Sequence, residues 1–272
     1  MKQVASNLIM KIQVRAVLFA GLAAVFANAS TTPRNMSVGS VLRDPGALMV
    51  LHTSMMRRLE VTGPPTPLPT SEMTPVTSEA RLEGAIQAGE SLVLLGADIL
   101  LSKAIYILSG APFTLDGSGY ALDGAHNHTC VVVDAAANVT LRNITIVHGS
   151  SRFGGGVFVS GGSHLYVIHG RIIKNRATQS GGGVFAEKSS KLWFTHTVVQ
   201  SNNAPTGGGL SLDGARGEFN SSIVSQNLAF SNGGGFYVQD SKLNFHKTTL
   251  EANQAWNWGA ATYTFRSTVF FF

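Results

Sequence analysis

The chain has 272 residues, of which 44% are hydrophobic and only 13% charged, with 30 glycines. That hydrophobic share allows a sizeable core, while low charge and abundant Gly point to short strands and tight turns rather than helices. The formal charge of +5 falls to +2 without Lys2, Lys11 and Arg15, and no basic run or stripe is visible in the rest, so nucleic acid is not an expected partner.

Lys2, Lys11 and Arg15 precede an apolar stretch of 12 residues at 16–27, followed by Ala27-Asn28-Ala29. A positive start, a short apolar run and a small-x-small site predict a secretory signal peptide over residues 1–29. The run falls short of the ~20 residues that span a bilayer, and no transmembrane segment is expected in the mature chain. Residues 30–78 form the next segment. Seven of the nine prolines fall there, and residues 62–78 read TGPPTPLPTSEMTPVTS. Proline removes amide donors and fixes φ, so this is expected to be an extended, largely disordered linker or stalk.

From residue 79 to 272 the pattern changes. Leu82, Ala85 and Ile86 recur at helical spacing, with Thr77 or Ser78 to cap the start and Gly89 to end it. A short helix before a strand array suits a cap over its first coil. The array declares itself by repetition. Triple glycines begin at Gly154, Gly181, Gly207 and Gly233, with a degenerate copy at Gly259, at spacings of 27, 26, 26 and 26. A short apolar run follows each.

Three strand-like pieces divide each repeat. The first carries alternating apolar pairs such as Ile105/Ile107, Val131/Val133 and Val157/Val159. The second has pairs such as Phe113/Leu115, Val139/Leu141 and Leu192/Phe194. The third ends in Ile146, Ile172, Val199, Val224 and Leu250. Alternation puts one face in and one face out. Three strands per turn of ~26 residues predict an all-β parallel solenoid of about seven coils, stacked ~4.8 Å apart. A column of Asn175, Asn202, Asn227 and Asn253 follows the third strand, each with an alanine two residues on. Identical amides one coil apart can bond up the stack, so this column is expected to be a structural Asn ladder.

The runs NRATQSGGGVF, NNAPTGGGL, NLAFSNGGGFY and NQAWNWGAATY resemble the right-handed single-stranded parallel β-helix repeats of the pectate-lyase-like superfamily, especially those of polymorphic outer-membrane and adhesin-type proteins. The resemblance covers about residues 79 to 272. It implies the fold more than an activity, because the superfamily includes polysaccharide lyases, hydrolases, epimerases and non-enzymatic adhesins.

An enzyme of this kind would cluster carboxylates and basic groups on one face. Asp116, Asp123 and Asp134 are the only weak catalytic candidates, and they fall on different rungs. Arg171 and Lys174 read as solvated charges around Ile172. The pairs His126/His128 and His164/His169 lack zinc-site spacing, so no metal is expected. Nor is a cofactor, with calcium entering only under the lyase alternative. Cys130, in an apolar run, reads as a small buried hydrophobe.

The residues between the inward pairs of the first strand are Tyr106, Val132, Phe158, Phe185, Ser211, Tyr237 and Tyr263. They predict a partly aromatic external stripe in which Tyr106, Phe158, Phe185 and Tyr237 are binding candidates for a glycan or a cell-surface protein. Sequons at Asn35, Asn127, Asn138, Asn143 and Asn220 are candidate glycosylation sites. The chain closes on Phe270-Phe271-Phe272 without a polar cap, which reads as truncation of a longer protein or as an aromatic plug. Together these readings describe a secreted or cell-surface β-helix protein used non-enzymatically in adhesion, surface structure or recognition. A carbohydrate-active enzyme is the alternative.

Overall fold

The computed structural model describes residues 74–108 and 110–272. The segment expected to be a signal peptide, most of the Pro-rich segment and Asn35 lie outside the described residues. Among those described, a helix α1 (Glu79–Gln87) is followed by 27 strands, paired in parallel between successive coils.

Short strands with alternating apolar residues cannot bury their inner faces alone, so each pairs with its copy one coil away. In the first, seven-stranded sheet the register runs Ile105↔Val131↔Val157↔Val184↔Leu210↔Phe236↔Thr262. The second sheet has eight strands, from Leu92–Leu94 to Thr268–Phe271, and the third has seven, from Ile99–Leu100 to Thr249–Glu251. Inward positions of all three form one continuous core. Phe194, Phe219 and Phe245 lie in it one above another, the first two stacked with ring centroids 4.5 Å apart.

A fourth ladder joins the three expected. Five strands, Ser150–Phe153, Arg176–Ser180, Asn203–Thr206, Leu228–Asn232 and Gln254–Ala255, pair in order between the Asn column and the glycines. Ala177, Ala204 and Ala229 are buried there, so the alanines serve a sheet as well as a bend. The register shifts at three of the four pairings, which matches the irregular composition of this segment.

The Asn column lies inside. Each amide nitrogen of Asn175, Asn202 and Asn227 donates to the next Oδ1 at 3.0, 3.0 and 2.9 Å. It also donates to a carbonyl of the preceding coil, at Ile146, Ile172 and Val199. Backbone N–H groups of the same residues donate to the same oxygens. Gly149 takes the column's place one coil earlier and donates its N–H to Asn175 Oδ1 at 2.8 Å.

The glycine triplets make that ladder fit. The first glycine of each has positive φ, between +61° and +72°, where other residues are strained. The third faces the ladder: a Cβ on Gly183 would stand 3.1 Å from Asn202 and 2.7 Å from the Gly209 carbonyl. Asn and Gly columns are therefore two halves of one packing arrangement.

At the start, Leu82 and Ala85 of α1 are buried against the first coil. Val76, within the compositional linker, already pairs with Leu95 and joins the core. Ser78 is the N-cap residue, but its side chain makes no capping bond. The clamp is Glu79, whose carboxylate accepts from the Ser102 N–H and hydroxyl and the Lys103 N–H, while Lys103 pairs with Glu83 at 3.0 Å. At the other end, inward-facing Phe271 stacks on Phe245 yet remains 67% exposed, since only one of its sides meets a coil.

Two outcomes follow from these contacts. Asn202→Leu strands the backbone N–H of Asn175 and removes one of its two amide bonds and the amide donor to the Ile172 carbonyl, at about 1–3 kcal/mol for each buried group left unpaired. Thermal melting should show a Tm several degrees lower, and Gly183→Ala should lower it too. Burial would raise the Glu79 pKa, but its bonds from Ser102 and Lys103 outweigh that and lower it. A lowered folded pKa means that the clamp contributes above the unfolded value and is lost as pH falls through the folded one. Hydrogen-exchange protection factors at Leu82–Ile86, corrected for the intrinsic rate, should therefore fall in acid, and Glu79→Gln should remove that pH dependence.

Candidate functional site

Short corners separate the sheets, and the three candidate carboxylates stand at three of them. Asp116 ends a strand of the second sheet. Its Oδ2 accepts from Arg142 Nε at 2.7 Å, and its Oδ1 from the Ser118 N–H at 2.8 Å and Asn143 Nδ2 at 3.3 Å. Burial pushes its pKa up, but these bonds and the Arg142 charge hold it below the ordinary range. Asp123 ends a strand of the third sheet, with Oδ2 3.0 Å from His148 Nδ1 and Oδ1 accepting from the Ala125 N–H. Burial again works upward on its pKa, and the His148 bond leads the effects that lower it. Asp134 follows the first sheet and accepts from the Ala135 N–H at 2.7 Å. Each carboxylate is tied to its own corner, and the three are not brought together.

The first-sheet stripe is broken. Tyr106 is 57% exposed, but Phe185 is only 8% exposed. Phe185 was expected outside; instead Phe153, carried over it by the fourth ladder, packs at 4.9 Å, and Phe158 stacks on it at 5.7 Å. Ser211 is buried and interrupts the column. Beyond it Tyr237 stacks on Tyr263 at 5.3 Å, and the Tyr237 hydroxyl donates to Gln239 Oε1.

A second outward face is better formed. In the second sheet the outward middle position brings Tyr166 beside Trp193, stacked at 4.5 Å with ring planes 5° apart. The outward position two residues earlier runs His164↔Lys191↔Arg216↔Lys242. His164 meets the Trp193 ring edge-on at 5.6 Å, and Lys242 Nζ lies over Phe270 at 5.2 Å. Among the described residues no carboxylate pairs with Lys191, Arg216 or Lys242; nearby Glu218 is 4.0 Å from His246. Sheet pairing spaces them by roughly 4.8 Å. The arrangement offers a flat aromatic platform flanked by a row of basic side chains, with Glu218 following Trp193 in the platform's own column.

Sequence reasoning passed over Tyr166 and Trp193. Their signal was present, as bulky aromatics between the inward pairs Leu165/Val167 and Leu192/Phe194, one repeat apart.

At the corner between the second and third sheets, Ser118, Gly119, Asn143, Ile144, Thr145, His169 and Arg171 line a shallow groove of about 500 Å³. The Asn143 sequon forms part of it. Asn127, Asn143 and Asn220 are exposed and Asn138 is half-buried. Cys130 is buried, and burial pushes its thiol up to about 12, which makes it a poor nucleophile. Among the described residues, no group of three or more His, Cys, Asp or Glu is arranged to hold a metal ion, and no helix is long and apolar enough to cross a membrane.

No curated protein matches the chain at a significant level. A solved structure titled "L. reuteri 53608 SRRP" aligns over 72% of this chain and 98% of its own, at 14% identity and a TM-score of 0.32. The family described as "Right handed beta helix region" matches residues 122–270, more than half of the chain. With the stacked parallel coils described above, that match identifies the chain as a member of the right-handed β-helix family.

Proposed function

We propose that this protein works outside the cell as a non-catalytic recognition surface, binding acidic glycans along the outer face of its second sheet. The observation that carries this reading is the basic column Lys191, Arg216 and Lys242, headed by His164 and without a carboxylate partner among the described residues, beside the Tyr166–Trp193 platform. Aromatic faces stack on the apolar faces of sugar rings, and a cation row attracts carboxylate or sulfate substituents. A rod that repeats every coil matches a polymer that repeats every sugar. The signal-like N-terminal segment supports placement outside the cell.

The separation of Asp116, Asp123 and Asp134 favours binding over turnover. Glycoside hydrolysis requires two carboxyl groups flanking one bond, and each of these is held by partners at a different corner.

A panel of acidic and neutral polysaccharides tests the reading, with binding, new reducing ends and unsaturated products measured together, with and without calcium. Binding to acidic members without turnover is expected. Trp193→Ala should weaken it about tenfold, equivalent to roughly 1.4 kcal/mol. Lys191→Ala with Arg216→Ala should weaken it further and flatten its salt dependence. Turnover of any member, or binding indifferent to both changes, would overturn the proposal.

A further inference from the structure

Stacking brings together residues that are far apart in sequence at the corner after the third sheet. His126 and His148 lie on neighbouring coils, with ring centroids 4.6 Å apart and planes inclined by 37°. The His126 N–H donates to the His148 carbonyl at 2.7 Å, which ties the two corners together. Asp123 Oδ2 stands 3.0 Å from His148 Nδ1, and the Ala125 N–H fixes the other carboxylate oxygen at 2.9 Å. His128 is not available, because its two ring nitrogens face the Thr129 and Leu101 carbonyls at 3.1 Å each. Among the described residues, the ring nitrogens of His126 make no hydrogen bond.

A carboxylate that accepts from Nδ1–H holds an imidazole in the tautomer whose Nε2 lone pair is free, the outer-shell arrangement that orients metal-binding histidines. A tetrahedral ion 2.0–2.1 Å from two nitrogens needs them about 3.3 Å apart, a span that rings with centroids 4.6 Å apart can supply. Inclined planes let two in-plane lone pairs converge on one point. By contrast His169 and His196 stack at 5.0 Å with planes only 16° apart, so their in-plane lone pairs stay in separate, nearly parallel planes.

We infer that His126 and His148 chelate one divalent transition-metal ion, with Asp123 as the residue that orients His148. Imidazole donors suit zinc, copper or nickel rather than calcium or magnesium. Two protein ligands leave the remaining positions to water, so the site is open, unlike the closed four-ligand centres that support folds. It lies at a corner apart from the second-sheet face and stands independently of the glycan reading.

Titration calorimetry of the full-length protein with zinc chloride and copper chloride tests the inference. Saturable binding of at least one ion is expected. His126→Ala and His148→Ala should each weaken it tenfold or more. Asp123→Asn should weaken it about tenfold, the cost typical of a lost outer-shell partner. The double change His169→Ala/His196→Ala should leave it unaltered, and circular dichroism should show all variants folded. Absence of saturable binding to folded protein would overturn the inference. So would binding that survives His148→Ala, which is independent of whether His126→Ala folds.

Discussion

In the Asn ladder, the side-chain amides of Asn175, Asn202 and Asn227 bond both to the next coil's amide and to a carbonyl of the coil before. A buried amide that loses either partner is costly, so a coil cannot slip by one residue without stranding several groups at once. β-Pairing alone does not enforce this, because short strands tolerate slippage. The glycine column opposite allows the amides in, as the close approach of Gly183 to Asn202 demonstrates. Sequence, backbone conformation and packing thus agree on a single register.

Register then governs the exterior. When coils stack without slip, each outward position becomes a column parallel to the rod. Tyr166 meets Trp193 face to face, and basic side chains fall in line, because the repeat places them there. The same geometry costs strain at the corners, where Asn143, His169, His196, Ser221 and Lys247 all have φ near +50°. That strain is about 1–2 kcal/mol per residue. At His169 and His196 it is partly offset by ring stacking between coils. Corners and outer columns are where side chains vary without harming the ladder, and there chemistry can be added to a fixed scaffold.

Much of this was legible in the sequence for a physical reason. Features repeated once per coil, such as Val157/Val159, Val184/Ala186 and Leu210/Leu212, reveal their period without any knowledge of contacts. The fourth ladder was harder to see. Its segments RATQS, NAPT and LAFSN share a buried alanine at the second position but no alternating apolar pattern. Phe185 looked external because alternation reports which face a residue takes but not what another segment lays over it. The Asp123–His148–His126 cluster has no motif. Its members meet only because coils of about 25 residues superimpose, so spacing rules built for local sequence could not find it.

Hydrogen exchange resolved to single residues tests most directly whether the ladder holds the register. The backbone amides of Asn175, Asn202 and Asn227 each donate to a side-chain oxygen of the next coil rather than to a strand partner. If the ladder is intact in solution, these amides rank with the slowest in the protein and exchange only when neighbouring coils separate. Exchange as fast as that of the exposed corner residues would mean that the amides face water, and would contradict the account.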